Sequence, residues 1–347
     1  MAGSTVIEDL DSSAWDRFVN AAPNATFYHQ HAWKQVIEKS FGHRCHYLAA
    51  LSGAGECQGV LPLVEMRSRI FGHFLVSMPF VNYGGLVCET ESAANLLLER
   101  AERIRHDSGA EFVELRHLES FRDGLPTRQH KVTMIMDLAD DADSQWRGFR
   151  SEIRNRIRRA EKAKLEPAIG HLDLLDDFYG VFARNMRDLG TPVLGIGFFR
   201  NLLESFPDSV RIFAVRHEGR AIGAAVALWY RDTLEFPWVS SIRDYRALCP
   251  NNLLYWEAIR YAIDRGFRKF DFGRSTRSDS HEGTFNFKKQ WGARPVQLYW
   301  QYLVDANGKV SELNPENPKY RAAIRVWQHL PVPLTRMLGP LIVRSIP

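Results

Sequence analysis

The chain is poor in several features that would assign it to common classes. Its four cysteines, Cys45, Cys57, Cys88 and Cys249, include no C-x-x-C pair and have no histidines at zinc spacing. That removes a disulfide framework or zinc module and leaves buried, reduced thiols as the expectation. No stretch reaches the roughly 18 uninterrupted apolar residues of a membrane span, and the tail MLGPLIV is short and holds a proline. The start, MAGSTVIEDLDSSAWDRF, lacks a basic segment followed by an apolar run, so no secretory signal is read and a cytoplasmic protein is expected. Charge of one sign is not in excess either. Lys and Arg total 45 against 41 for Asp and Glu, a formal net charge of +4, so DNA is not an expected partner and any anion must be met by a local patch. There is no G-x-S-x-G elbow and no cysteine with a recognisable activating neighbour. The histidines of HQHAW, with His43 and His46, lack a carboxylate set, so no metal is expected.

What is present describes a folded chain long enough for two domains: 347 residues, 45% hydrophobic, 12% aromatic and 25% charged. After an opening helix around Trp15–Val19, strand-like runs at His46–Leu51, Gly59–Met66 and Phe74–Met78 are punctuated by Gly and Pro. A helix over about Ala93–His106, then Gly109, then a strand at Phe112–Arg116 complete the first half. The second half repeats this order, with strands at Arg211–Arg216, Ala221–Tyr230 and Leu234–Ser240, a helix over about Asn252–Asp264, Gly266 and a strand at Lys269–Phe272. One constant shift pairs Asn95 with Asn252, Leu96 with Leu253, Ala101 with Ala258, Asp107 with Asp264 and Gly109 with Gly266, and sets Glu114 opposite Asp271. Read physically, this is a helix packed on a sheet, a left-handed glycine stop and a strand ending at an acid, used twice.

Between the halves, QWRGFRSEIRNRIRRAEKAKLEP predicts an amphipathic helix with Trp146, Phe149, Ile153, Ile157 and Ala160 on one side and Arg147, Arg150, Arg154, Arg158 and Lys162 on another. Such a stripe is either a solvated face or, through Arg154 and its neighbours, a place for a phosphate-bearing partner such as tRNA. The expected plan is α/β throughout, with a first domain over 1–145, a basic linker helix over 146–165, a second domain over 166–305 and an extension over 306–347.

The segments FYHQHAW, GVLPL, FVNYGG, RSEIRNRIRRA, LGTPV and FDFGRSTRSDSHEGTFNFKKQWGA resemble the FemAB-related proteins, and most of all the subgroup associated with PEP-CTERM/exosortase exopolysaccharide systems (BioF2-like acyltransferases), over roughly residues 25–305. The resemblance implies two GNAT-like domains in tandem and an acyltransferase that passes an acyl or aminoacyl group to an amine on a saccharide or cell-envelope precursor. It implies no permanently bound cofactor, with acyl-CoA or aminoacyl-tRNA as co-substrate. The long helical arm of the peptidoglycan-bridge members has no counterpart in a heptad pattern here. Where acetyl-CoA enzymes of this fold carry a glycine-rich pyrophosphate loop, this chain has RALCPNN, leaving the Asn251 and Asn252 side chains and a helix N-terminus as donors.

Acyl transfer to an amine needs a neutral nitrogen, a polarised carbonyl and a proton path. KFDFGRST followed by FNFKKQWG delivers Asp271, Arg274, Lys288 and Lys289 to one end of a sheet. Asp271 is expected to orient or deprotonate the amine, or alternatively to cap a turn and pair with Arg274. Lys288 is expected to face inward, on the strength of the family motif, while Arg274 and Lys289 hold a phosphate or carboxylate. In the first half, Asn82 and Tyr83 of FVNYGG either line a cleft between the halves or form a hairpin turn. Trp33 is a weaker substrate-binding candidate, and Trp238 either stacks on a sugar or base or packs the core. Two further readings stand beside the enzyme: a non-catalytic module for tRNA or an anionic glycan, and peripheral membrane contact through the C-terminal segment.

Overall fold

The computed structural model describes residues 4–276, 282–305 and 318–346. The first unit holds β1 (Thr5–Glu8), α1 (Ser12–Ala21), α2 (Ala32–Phe41), β2 (Arg44–Leu51), β3 (Cys57–Ser68), β4 (Gly72–Val76), β5 (Val87–Cys88), α3 (Glu91–Ser108), β6 (Val113–His117) and β7 (Thr127–Arg128). The second holds β8 (Lys131–Asp137), α4 (Ala142–Gly148), α5 (Ser151–Lys162), β9 (Glu166–Gly170), α6 (Leu175–Leu189), α7 (Ile196–Ser205), β10 (Val210–His217), β11 (Arg220–Tyr230), β12 (Thr233–Ser241), α8 (Pro250–Asp264), β13 (Lys269–Thr276), α9 (Glu282–Gln290) and β14 (Arg294–Gln297). β15 (Tyr299–Leu303) then joins the first sheet, while α10 (Pro318–His329) and α11 (Val332–Val343) belong to the second unit.

The first sheet runs β1-β2-β3-β4-β6-β15-β7, with β5 against β3, and the second runs β14-β8-β13-β12-β11-β10-β9. Each sheet contains a parallel pair, β4 with β6 in the first and β12 with β13 in the second. A parallel pair requires a crossover. In the first unit α3 supplies it, burying Ala94, Leu97, Leu98, Ala101 and Ile104 at helical spacing. In the second unit it is α8, through Leu254, Ala258, Ile259 and Ala262. Both helices stop in the same way. Gly109 N–H bonds to His106 and Ala110 N–H to Arg105, and Gly266 N–H bonds to Ile263 and Phe267 N–H to Ala262, with the glycines at φ 73° and 77°. The expected duplicated corner is therefore present bond for bond.

Domain limits differ from the expected ones. The units divide at His130 and Lys131, not after residue 145. α5 is no free linker, because Ile153, Ile157 and Ala160 are buried in the second core with Leu253, Trp256 and Ile259. An apolar stripe of that regularity gains more by burial than by exposure. Among the described residues, no helix is long and apolar enough to cross a membrane.

Candidate functional site in the second unit

The site grows from an interruption in β13. Its ladder with β12 is short, Thr233–Lys269 to Glu235–Asp271, and ends at the acid. On the other edge, pairing with β8 slips between Asp271 and Arg274, so Phe272 and Gly273 form a bulge. Gly273 is at φ 74°, and a Cβ there would lie 2.8 Å from the Phe236 carbonyl oxygen, so only glycine fits. β12 is irregular at the same level, with its register against β11 shifting beside Phe236 and Pro237.

Asp271 is fully buried. Its Oδ1 accepts from the Thr133 hydroxyl at 2.5 Å and from the Gly273 N–H at 2.7 Å, which ties the carboxylate to the bulge it precedes. Glu235, also buried, stands directly across the ladder from it. Into this acidic pair α9 brings Lys288, 5% exposed, whose Nζ donates to the carbonyls of Gly273 at 2.9 Å and Arg274 at 2.8 Å. Burial lowers the Lys288 pKa to about 8, opposed by the charges of Asp271 and Glu235 and assisted by Arg274. The helical turn fixes the choice between the two lysines: Phe285, Phe287 and Trp291 pack on the second core, Lys288 points in and Lys289 is exposed. Nearby Lys131 is also lowered to about 8, by burial and then by Arg274, and donates to the Thr276 hydroxyl at 2.7 Å.

Around this cluster the segments flanking Lys288 carry buried polar atoms without a hydrogen-bond partner among the described residues: Ser275 Oγ, Gln290 Oε1 and Trp291 Nε1. Asn251 Oδ1 and Asn252 Nδ2, in the first turn of α8, are in the same condition. Orphaned groups cost about 1–3 kcal/mol each, so a ligand that satisfied these atoms would gain from them. Pro250 takes the first position of α8, where its missing N–H costs nothing.

The remaining candidates fall elsewhere. Arg154 donates to the carbonyls of Phe149 at 2.5 Å and Arg147 at 3.1 Å, so its guanidinium caps the end of α4 and is not held out for a substrate. Trp238 packs edge-on against Phe198 and Phe199 as a core ring. Trp33, fully buried, donates its indole N–H to Phe27 and is likewise core, because its neighbours Phe27 and Tyr28 close over it. Asn82 and Tyr83 lie buried in the first unit, in a loop whose Gly84 and Gly85 have no room for a Cβ against Met78 and His117. Glu235 and Lys131 were missed by sequence reading; the signal available was an acid, and a lysine, inside otherwise apolar strands. Glu102, His106 and Asp305 converge at metal-ligand distances. Arg105 Nη2 already lies 2.6 Å from Glu102, 2.5 Å from Asp305 and 3.1 Å from His106, so the cation there is the guanidinium.

The chain is similar to several known proteins. Residues 147–289 match the family model described as an acetyltransferase (GNAT) domain. A curated relative, the UDP-N-acetylmuramoylpentapeptide-lysine N(6)-alanyltransferase of Weissella viridescens, is 23% identical over 166 residues, which is 47% of this chain and 49% of that protein. The chain thus matches about half the length of that relative. Among solved structures, FemX superposes with a TM-score of 0.66 at 16% identity, covering 86% of this chain and 97% of that one. L-PGS from Bacillus licheniformis gives 0.57 at 13%, covering 96% and 98%. A tandem GNAT protein of the clavulanic acid biosynthesis pathway gives 0.56 at 11%, covering 89% and 100%. Residues 147–289 of the second unit thus match a GNAT acetyltransferase domain, and the chain as a whole shares the fold of FemX and of a tandem GNAT protein.

Proposed function

We propose that the chain transfers an acyl group, and most specifically an aminoacyl group, from aminoacyl-tRNA or acyl-CoA to an amine on a cell-envelope or exopolysaccharide precursor in the cytoplasm. The single observation that carries the reading is the buried Lys288, held beside Asp271 and Glu235 where two parallel strands part. An ammonium has three donors, and two are spent on the Gly273 and Arg274 carbonyls. The third is assigned to the carbonyl oxygen of the acyl group, where negative charge develops as the amine attacks; in a dry site such a donor is worth far more than in water. The new C–N bond forms as the C–O bond of an ester donor, or the C–S bond of a thioester, breaks, and the amine proton leaves with that oxygen or sulfur. Asp271, fully enclosed and doubly bonded, is assigned to positioning: it fixes the bulge that aims Lys288. Arg274, Lys289, Asn251 and Asn252 are assigned to holding the substrate's polar and anionic groups. The relative's name, an alanyltransferase acting on a UDP-linked peptide lysine, supports an amine acceptor of envelope type. The FDFGRST and FKKQWG motifs support the narrower exopolysaccharide setting.

The test is a donor screen with radiolabelled aminoacyl-tRNA and acyl-CoA against amine acceptors. Turnover that falls by about 10²-fold in Lys288→Ala is expected. Full activity in that variant overturns the assignment. Salt-sensitive tRNA binding with no turnover of either donor would establish the binding-module alternative in its place.

A further inference from the structure

From Pro318 to its end the chain contains no Asp or Glu, while Lys319, Arg321, Arg325, Arg336 and Arg344 supply positive charge. α11 packs inward through Thr335 and Gly339, and at Gly339 a Cβ would come within 2.8 Å of the Val193 nitrogen. Its opposite face is apolar and uncovered. Met337 and Leu341, one turn apart, are each 63% exposed, and so is Val326 on α10. A fourth exposed apolar side chain, Leu189, ends α6, whose flanking residues are held to α10: Asp188 O accepts from Gln328, and Gly190 abuts Ile324. Three large side chains in water on two adjoining short helices, with Leu189 beside them, are more than the scattered single residues normal for a surface. Arg325 and Arg336 are exposed on the same two helices, the latter with its guanidinium 4.8 Å over the Tyr179 ring.

We propose that α10 and α11 form a membrane-surface face that lies in the headgroup region of an anionic bilayer. The chemistry selects that occupant. Twelve residues of α11 rise about 18 Å, too little for the roughly 30 Å hydrocarbon core, so the helix lies along the surface and does not cross it. Apolar side chains bordered by arginines, with no acid on either helix, match a negative lipid surface. A second copy of this chain would present the same cations to themselves across a two-fold contact, which disfavours self-association through this face.

The experiment is co-sedimentation of the full chain with phosphatidylcholine vesicles, with and without roughly one-quarter phosphatidylglycerol. Binding is expected to the anionic vesicles, weakening as salt rises. Met337→Glu with Leu341→Glu should reduce the partition coefficient by about tenfold or more, and Arg325→Gln by about fivefold, on anionic vesicles only. Circular dichroism melting confirms that each variant is folded; should the double variant unfold, Met337→Ser alone gives the same comparison at smaller amplitude. Absence of binding by the parent chain, binding indifferent to these substitutions, or a dimer in light scattering that Leu341→Glu dissolves would each overturn the proposal.

Discussion

The two parallel strand pairs are built alike and put to different use. Each ladder ends at a buried acid, Glu114 in the first unit and Asp271 in the second. Around Glu114 the fold closes on itself. Arg116, two residues along the same strand, donates to Glu114 at 2.7 Å, and the Tyr302 hydroxyl donates at the same distance. The guanidinium also bonds to Val81 at 2.8 Å and lies 4.4 Å over the Trp300 ring. Asp271 instead holds a hydroxyl and a backbone N–H, and its cation arrives from a separate helix, α9, and donates to backbone carbonyls. A cation locked to its acid is committed to structure; one held by two backbone carbonyls keeps a donor for chemistry.

That contrast predicts opposite consequences for the two cations. Lys288→Ala should lower kcat by about 10²-fold while leaving urea stability within about 1 kcal/mol, whereas Arg116→Met should cost about 3–5 kcal/mol in urea unfolding, by leaving Glu114 buried without its partner, and spare kcat in the folded fraction. Equal activity losses in the two variants would erase the distinction.

Asp271→Asn should reduce kcat about tenfold, since the positioning bonds weaken without the cation being removed. Gly273→Ala should destabilise by about 1–3 kcal/mol, because its left-handed backbone and the Phe236 carbonyl leave no space for a methyl. Gly109→Ala and Gly266→Ala, with nothing within 4 Å of the added carbon, should cost about 1 kcal/mol each and nearly equally, if the two corners are equivalent. Thermal melts measure all three.

The most discriminating effect is in pH. Lys288 is lowered from the ordinary lysine range to about 8, so its ammonium is intact below that value and lost above it. A cationic role predicts kcat level up to about pH 8 and falling about tenfold per unit beyond. A lysine acting as base would give a rising limb instead. For stability the sign is the reverse: between about pH 8 and the unfolded value near 10.5 the unfolded chain binds the extra proton, so the cost of burying this charge is relieved as pH rises. Lys131→Met should leave the kinetic limb in place, which separates the two lysines that share that pKa.

Much of the fold was legible because its signals are local. Alternating apolar residues gave β2, β3, β10, β11 and β12 within about two residues, and the Gly109 and Gly266 stops were visible as glycines after an amphipathic run. β8 and β15 were not legible. Each is a short apolar run, and which sheet it joins is fixed by partners far along the chain, Asp271 to Ile135 and Glu114 to Tyr302. The site divided in the same way. Lys288 was singled out from its motif, but Glu235 reads as an ordinary strand residue and Trp33, Trp238 and Arg154 looked available until their neighbours were known.

The sequence by itself determined the duplicated helix, glycine and strand corner, because backbone conformation and amphipathic spacing depend on near neighbours. It also determined that Asp271 and Lys288 share one short segment. Only the tertiary structure decided that Lys288 is dry, that its charge faces two carboxylates and that Glu114 is sealed by an arginine. Desolvation and pairing arise from residues brought together by folding, and no spacing along the chain encodes them.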